Sequence, residues 1–335
     1  MLKRLVPLAA VLVALPAMAQ DLTPVRFTLD WKFEGPSAPF FVALDKGFFE
    51  DEGLDVTIDS GAGSRESIPR VATGAYDMGF GDVNALVKFL ADQPDAAVEA
   101  VYMMYDKPPF AVIGRKSQGV SADPKSLEGK TLGAPPPDAA FAQWAAFVDA
   151  ADIDTSAITI ENVGFPVREP MLAQGQVDAI FGYAFSSVLN LKAQGVADDD
   201  IVAIMMADNG LDLYGNAVMV NTGWAEENPE AVESFLRALV KGVLATIADP
   251  ADAVKSVMSR NEIASEPVEL ERLQMAIDDN IATPAALEAG LGGVDMDRLA
   301  SSIKQLQLSF DMPNPPEAAR VFDPGYLPPA DARKP

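Results

Sequence analysis

The sequence of 335 residues contains no cysteine and no histidine. Without cysteine the chain has no disulfides, no thiolate metal ligands and no thiol nucleophile. Without histidine it has no Ser-His-Asp system, no imidazole metal ligand and no imidazole acid or base. These absences exclude the corresponding enzyme classes, and the sequence predicts neither a cofactor nor a metal site.

Basic residues and long apolar runs are also scarce. The chain has 25 Lys and Arg residues against 49 Asp and Glu residues, a formal charge of −24. A surface of that sign repels phosphate backbones and anionic lipid heads, so nucleic acid and membrane surfaces are not expected partners. After the N-terminal region, no segment approaches the roughly 18 uncharged apolar residues that indicate a membrane span.

The N-terminal residues have the three regions of a secretory signal peptide in the required order. Lys3 and Arg4 form the positive region, residues 5–16 form the apolar region, and Ala17-Met18-Ala19 supplies a cleavage site. We therefore predict a signal peptide at 1–19 and a soluble periplasmic protein that starts at Gln20. No lipobox cysteine follows that would anchor it to lipid. The alternative is a buried N-terminal helix.

The rest of the chain alternates between strand and helix patterns. Residues 25–29, 54–58 and 76–80 have strand patterns, and helical segments separate them. Strand, helix and strand in close succession are typical of parallel βαβ units, so the predicted class is α/β. A chain of this length usually exceeds one compact core, which favours two lobes.

A weak internal repeat supports two similar lobes. Residues 71–81 align with residues 172–182, and an alanine, a glycine, an aspartate, a phenylalanine and a final glycine recur at matching positions. Both copies predict a helix, a glycine cap and a buried strand; coincidence is the alternative, because alanine and glycine are common. We predict lobe 1 at 20–110 and 221–335 and lobe 2 at 111–220, with chain crossings near Pro109 and Gly215.

Candidate site residues lie where strands end, since open α/β sheets bind ligands beyond the carboxyl ends of their strands and at helix N-termini. Trp31 and Tyr183 are expected to stack on a flat ligand, while Asp30, Glu169 or Asp212 accept its N–H groups. The alternative is that the aromatic residues fill the core and the acids cap helices. The full predicted set is Asp30, Trp31, Phe33, Gly61, Gly63, Ser64, Asp82, Arg168, Glu169, Tyr183, Asp212 and Tyr214.

Several motifs in order along the chain carry a family resemblance. They are Thr28-Leu29-Asp30-Trp31, Ala38-Pro39-Phe40-Phe41-Val42-Ala43, Lys46-Gly47-Phe48-Phe49, Gly61-Ala62-Gly63-Ser64 and Met171-Leu172-Ala173-Gln174-Gly175. In these motifs the chain resembles the thiamine-pyrimidine, taurine and nitrate group of periplasmic solute-binding proteins. The resemblance implies a two-lobed periplasmic binding protein fold of type II, with a two-strand hinge and the ligand in the cleft between the lobes. It also implies a monomer that delivers a small molecule to an inner-membrane ABC permease and its ATPase.

Within that group, Asp30-Trp31 and residues 211–216 are most similar to the branch that binds pyrimidine precursors of thiamine. That branch usually has Asn and His shortly after the Asp-Trp pair, where this chain has Glu34 and Ser37. The related pyrimidine-synthesising enzymes depend on that histidine and on a cysteine-rich motif, so we expect a binding protein and not an enzyme.

Three functions stay open at this stage. The first is binding of a small heteroaromatic solute. The second is binding of a sulfonate, a nitrate or a riboflavin-like solute on the same fold, with an anion held by the 61–64 turn and Arg168. The third is a secreted enzyme that uses paired carboxylates.

Overall fold

The structure, a computed structural model, describes residues 22–335; the predicted signal peptide lies outside the described residues. Within that range the strands form two separate five-stranded sheets. The strands are β1 Thr23–Thr28, β2 Leu54–Asp59, β3 Met78–Asp82, β4 Val98–Met103, β5 Phe110–Arg115, β6 Thr131–Ala134, β7 Thr159–Asn162, β8 Ala179–Tyr183, β9 Ile201–Met205 and β10 Asn216–Asn221.

Helices surround both sheets, as the alternating pattern predicts. They are α1 Ala38–Asp45, α2 Phe48–Asp51, α3 Ser64–Ala72, α4 Val83–Asp92, α5 Ala139–Ala142, α6 Trp144–Ala151, α7 Phe165–Ala173, α8 Ala184–Ala193, α9 Thr222–Glu227, α10 Pro229–Ala248, α11 Pro250–Met258, α12 Glu266–Ala276, α13 Pro284–Ala289, α14 Met296–Ser309 and α15 Ala318–Val321. Across residues 22–335, no helix has both the length and the apolar character needed to cross a membrane.

The two sheets have the same topology, which confirms the predicted α/β class and two-lobed architecture. The strand orders are β2-β1-β3-β10-β4 in the first sheet and β7-β6-β8-β5-β9 in the second. In each sheet the first three strands are parallel. The fourth strand is antiparallel to both of its neighbours. The strands of lobe 1 therefore match those of lobe 2 one for one.

The internal repeat corresponds to the same unit in each lobe. Residues 71–81 contain the end of α3 and most of β3, and residues 172–182 contain the end of α7 and most of β8. Gly74 (φ 74°) and Gly175 (φ 71°) follow the two helices in the left-handed region. Glycine adopts that conformation without the steric cost of a Cβ atom, so a glycine follows the end of each helix, as the repeat predicts.

The chain crosses between the lobes twice, at residues 104–109 and 206–215. The second crossing ends before β10, which pairs with β3 and β4 of the first sheet. The predicted lobe boundary at 220 therefore needs correction: β10 belongs to lobe 1, and lobe 2 runs from Phe110 to Met205. The sequence of β10 indicates a buried strand, but a buried strand pattern does not show which sheet it joins.

Arg298 of α14 holds both crossings together. Its guanidinium donates to the Asp106 carboxylate (2.8 Å) and carbonyl (2.9 Å) in the first crossing. It also donates to the Leu213 carbonyl (3.0 Å) and the Asp212 carboxylate (2.7 Å) in the second. The guanidinium carbon lies 3.9 Å from the centre of the Tyr214 ring. Helix α14 thus links the two crossings from outside the two sheets.

Candidate functional site

A cavity of about 820 Å³ lies between the lobes, within the size range of small-molecule sites. Its walls come from the carboxyl ends of the strands in both sheets and from the helices that follow them. Eight of the twelve predicted site residues line it: Asp30, Trp31, Gly63, Ser64, Asp82, Arg168, Glu169 and Tyr183.

A hydrogen-bond network centres on the Asp30 carboxylate in lobe 1. Its Oδ2 accepts from Asn216 Nδ2 (2.7 Å) and from Ser64 Oγ (3.3 Å). Ser64 Oγ in turn accepts from the backbone N–H of Asp82 (2.9 Å). The first residue of α3, the second residue after β1 and the last residue of β3 therefore form one polar floor at the inner end of the cavity.

The two carboxylates of this floor, Asp30 and Asp82, become protonated at a higher pH than a free aspartate does. Burial raises the pKa of Asp30 to about 6, although its hydrogen bonds from Asn216 and Ser64 oppose the shift. Burial also raises the pKa of Asp82 to about 7, and repulsion by Asp30 adds to the shift. Asp82 caps α4, accepting from the backbone N–H groups of Asn84 (3.1 Å) and Ala85 (3.2 Å). The ionised form of Asp30 thus gains from an N–H donor on a ligand.

Tyr183 brings lobe 2 to this floor. Its hydroxyl donates to Asn216 Oδ1 at 3.2 Å. Burial raises the pKa of Tyr183 well above its usual value, and the nearby carboxylates Asp82 and Asp30 add to the shift. The phenol therefore remains a protonated donor, and the bond joins the lobes at the inner end of the cavity.

Aromatic side chains flank the cavity from both lobes. Trp31 of lobe 1 meets Phe165 of lobe 2 edge to face, with ring centres 5.8 Å apart. Tyr183 and Phe185 form a second edge-to-face pair at 5.7 Å, and Tyr105 packs against Phe185 at 6.2 Å. Aromatic side chains in a cavity wall suit a flat ligand, which can stack on a ring face.

Arg168 is the cation that would hold an anion, but two carboxylates already occupy it. Its guanidinium donates to Asp138 Oδ2 (2.9 Å) and twice to Glu169 Oε1 (3.0 and 2.5 Å). Ser187 Oγ donates to the same Glu169 oxygen (3.0 Å). The three charged side chains are less than a tenth exposed, and burial raises the pKa of Asp138. With both acids ionised, the cluster carries one net negative charge.

Glu169 differs from the prediction in its place on the helix. We expected it at the start of the repeat helix, where the dipole favours a negative charge. It is the fifth residue of α7, and Arg168 and Ser187 engage its Oε1. Its Oε2 makes no hydrogen bond with any described residue, which leaves that oxygen available to a ligand.

Two residues of the predicted set in lobe 1, Phe33 and Gly61, do not line the cavity. The Phe33 ring packs edge to face on Phe41 of α1, with centres 4.9 Å apart. Gly61 donates its N–H to the Trp31 carbonyl (3.1 Å), and a Cβ atom there would lie 2.3 Å from the Leu29 carbonyl oxygen. Both residues shape the segment that carries Trp31 without facing the cavity.

Asp212 and Tyr214 also lie outside the cavity, at the second crossing. Asp212 forms its ion pair with Arg298 and is two-thirds exposed. The Tyr214 hydroxyl accepts from the Asp295 N–H (2.9 Å), and its ring packs under Arg298. Arg298 of α14 holds both side chains away from the cavity, and the local sequence gives no sign of this.

The cavity also contains residues that the sequence analysis missed. Asn216, Asp138 and Phe165 have the contacts described above, and Gln143 lines the cavity at the junction of α5 and α6. Asn216 directly follows Gly215 at the predicted crossing, and Asp138 follows a run of three prolines, so both stand at recognisable breaks. Among the described residues, no group of three acidic side chains is arranged to hold a metal ion.

Known proteins similar to this chain include named solute-binding proteins. A riboflavin-binding protein, RibY, from Chloroflexus aurantiacus is 28% identical over 64% of this chain and 60% of its own length. The chain thus spans three-fifths of that relative. A formylaminopyrimidine-binding protein from Halalkalibacterium halodurans is 27% identical over 77% of each chain. A 4-amino-5-hydroxymethyl-2-methylpyrimidine phosphate synthase from Aspergillus parasiticus is 24% identical over 73% of this chain and 72% of its own.

Solved structures agree on the fold. The periplasmic aliphatic sulphonate binding protein SsuA from Escherichia coli superimposes with a TM-score of 0.71 at 13% identity, covering 91% of this chain and 94% of that one. The fold is therefore that of the periplasmic binding proteins. The sequence model described as NMT1/THI5 like matches residues 35–253, about two-thirds of the chain. This protein belongs to the NMT1/THI5 like family.

Proposed function

We propose that this protein is the periplasmic substrate-binding component of an ABC importer and that it binds a small heteroaromatic solute, such as a pyrimidine precursor of thiamine. It is exported by its N-terminal signal peptide and passes the solute to an inner-membrane permease with its ATPase. The fold, the family and the names of the two binding-protein relatives support this function.

The observation that carries the proposal is the chemistry of the cavity between the lobes. Aromatic rings from both lobes, Trp31 and Phe165 among them, line it, and the buried carboxylate of Asp30 lies at its floor. A flat ring with N–H groups matches aromatic faces and a carboxylate acceptor. A ligand of this kind gains stacking and charge-assisted hydrogen bonds together.

A sulfonate or nitrate is the second candidate, and the structural neighbour SsuA motivates it. Against it stands the pairing of Arg168 with Asp138 and Glu169, which leaves that cation no free charge for an anion. The carboxylates of Asp30 and Asp82 would also repel an anion at the inner end. A riboflavin-like solute meets neither objection.

An enzymatic role is the third candidate. The chain contains no histidine and no cysteine, the residue types on which the related pyrimidine-synthesising enzymes depend. Its buried carboxylates have structural partners instead: Asp82 caps α4, and Asp138 forms an ion pair with Arg168. We therefore propose binding without catalysis.

The test is a binding panel on the purified mature protein. It comprises 4-amino-5-hydroxymethyl-2-methylpyrimidine, formylaminopyrimidine, riboflavin, taurine, an alkanesulfonate and nitrate, screened by thermal shift and measured by calorimetry. A ligand at 100 times its Kd stabilises the folded state by about 2.7 kcal/mol. We expect at least one heteroaromatic member to bind and the three anions to leave the melting temperature unchanged. Binding confined to the anions would overturn the proposal.

A further inference from the structure

The cavity continues from its polar floor along one face of α4. Asp82, which caps that helix, is followed in the cavity wall by Ala85, Lys88, Phe89 and Asp92. Spacings of three and four residues place these side chains on one helix face. From Asp82 to Asp92 the helix rises about 15 Å, so the cavity is long as well as large.

The far end of the cavity brings together three elements. Phe89 comes from α4, Gln143 from the junction of α5 and α6, and Phe310 from the residue after α14. Ser309 accepts a hydrogen bond from the Ala146 N–H (3.1 Å), which holds Phe310 beside α6. We call this end the outer branch, defined by Lys88, Phe89, Asp92, Ala142, Gln143 and Phe310. Two phenyl rings and an amide make it a mixed apolar and polar pocket.

Gln143 has an unsatisfied amide in the outer branch. The residue is only 1% exposed, and neither its Nε2 nor its Oε1 has a hydrogen-bond partner among residues 22–335. Native structures rarely leave both atoms of a buried amide unpaired, because each loses its bonds to water. Rotation about the flexible side-chain bonds would bring the amide from this buried position into the cavity that it lines. There it offers one donor and one acceptor side by side.

We infer that the outer branch is a second ligand subsite, which takes the far part of an elongated heteroaromatic ligand. Gln143 recognises on that part an adjacent donor and acceptor, such as the N–H and C=O of a lactam or imide edge. Paired amide recognition of this type reads base edges in nucleic acids. The inference rests on the proposed function, because it requires a ring at the inner end near Trp31. A single six-membered ring there spans less than half of the cavity and leaves Gln143 unpaired.

Two probes of different length test the subsite by calorimetry on the mature protein. The short probe is 4-amino-5-hydroxymethyl-2-methylpyrimidine, and the long probe is riboflavin, which has three fused rings and an imide edge. We expect riboflavin to bind at least about tenfold more tightly to the wild type. Gln143→Leu should weaken riboflavin about tenfold, as loss of two hydrogen bonds implies, and leave the short probe unchanged.

A matched control and a second variant distinguish loss of the subsite from a folding defect in Gln143→Leu. Gln305 also has a buried, unpaired amide oxygen among the described residues, but its Nε2 donates to the Gly210 carbonyl (3.2 Å), and it does not line the cavity. Gln305→Leu should leave both affinities unchanged. Phe89→Ala should weaken riboflavin alone. In the absence of ligand, Gln143→Leu should melt at or above the wild-type temperature, because it removes an unpaired amide.

Three results would overturn the subsite. They are riboflavin binding no more tightly than the short probe, an unchanged riboflavin affinity in Gln143→Leu, and an equal loss for both probes. A short probe that binds while riboflavin does not would overturn the subsite and leave the proposed function intact. If no heteroaromatic compound in the panel binds, the proposed function is wrong, and the subsite that rests on it is wrong as well.

Discussion

The hydroxyl of Tyr183 donates a 3.2 Å hydrogen bond to Oδ1 of Asn216, and this bond connects the two lobes. Tyr183 ends β8 in lobe 2, whereas Asn216 begins β10 in lobe 1. The other end of the same amide donates to Asp30 at 2.7 Å. One asparagine thus links the contact between lobes to the carboxylate on the cavity floor, so closing the lobes also orients Asp30.

Removing this hydroxyl should speed ligand release. Tyr183→Phe keeps the ring but loses one hydrogen bond, which contributes about 0.5–1.5 kcal/mol. We expect a rise of about twofold to tenfold in the dissociation rate, measured by stopped-flow fluorescence. Tyr76→Phe is the matched control, since its hydroxyl bonds to Asp59 (3.0 Å) away from the cavity. Equal rates in the two variants would contradict a role in closure.

The Trp31 ring should supply stacking energy to a flat ligand. Of the three tryptophans, all of them in the described part of the chain, only Trp31 lines the cavity. Trp31→Ala should cost about 1–3 kcal/mol, the range for base–aromatic stacking, or about one to two decades in Kd. Trp224→Ala is the control: it should lower stability but leave the Kd unchanged. A wild-type Kd in Trp31→Ala would exclude stacking on this ring.

The buried Asp30 should make stability fall as pH rises. Its folded pKa of about 6 lies above the ordinary value of 3.8, so between about pH 4 and 6 the folded state binds more protons than the unfolded state. The unfolding free energy of the wild type should therefore drop relative to that of Asp30→Asn by roughly 2 kcal/mol from pH 4 to pH 7. Urea unfolding at several pH values measures this difference, and parallel pH profiles would contradict it.

The same titration should strengthen binding of an N–H donor. As pH rises through about 6, Asp30 ionises and becomes a charged acceptor. The affinity for a heteroaromatic that does not itself titrate in this range should increase from pH 5 to pH 7. In Asp30→Asn the affinity should be lower and should change less with pH over the same range, because only Asp82 of the two floor carboxylates still titrates there.

Glu169→Gln should separate the two leading ligand classes. The substitution removes one of the two charges that neutralise Arg168 and weakens the acceptor at the cavity wall. A pyrimidine should bind more weakly to this variant, whereas a sulfonate should bind as well as before or better. Calorimetry with one pyrimidine and one sulfonate gives the direction of the affinity change for each class. A loss of affinity for both would leave Glu169 with a purely structural role.

Arg168→Met should be among the more damaging single changes in lobe 2. It leaves Asp138 and Glu169 buried without their cation, and breaking a buried pair in this way costs about 3–5 kcal/mol. Arg260→Met provides the comparison, because Arg260 pairs with Asp45 near the surface and should contribute no more than about 1 kcal/mol. Urea unfolding measures both, and similar costs would contradict the burial argument.

The sequence predicted the parts of the site that follow from strand ends. Asp30, Asp82 and Tyr183 stand where β1, β3 and β8 finish, and the repeat of helix, glycine and strand indicated two similar lobes. Those features are local, because a buried strand and the glycine after a helix leave a pattern within a dozen residues. The general position of the cavity was therefore predictable.

Contacts between distant segments were not predictable in the same way. Asp212 and Tyr214 lie in the second crossing, but Arg298 of α14 holds them outside the cavity. Phe33 is two residues after Trp31, yet it packs on Phe41 instead of facing a ligand. Asn216 entered the site only because β10 pairs beside β3, and no local pattern records that pairing. In each case the partner that decides the outcome is remote in sequence.

The place of β10 in the first sheet determines when each lobe is able to fold during synthesis. All strands of lobe 2 lie between residues 110 and 205, so its sheet is complete as soon as that segment has been made. In lobe 1, β4 pairs within the sheet with β10 alone, and β10 begins only at residue 216. Until then β3 and β4 present open edges, the kind of surface through which unfinished chains associate wrongly. The sheet of lobe 2 is therefore the first to be complete, and the sheet of lobe 1 closes only when β10 is inserted between β3 and β4.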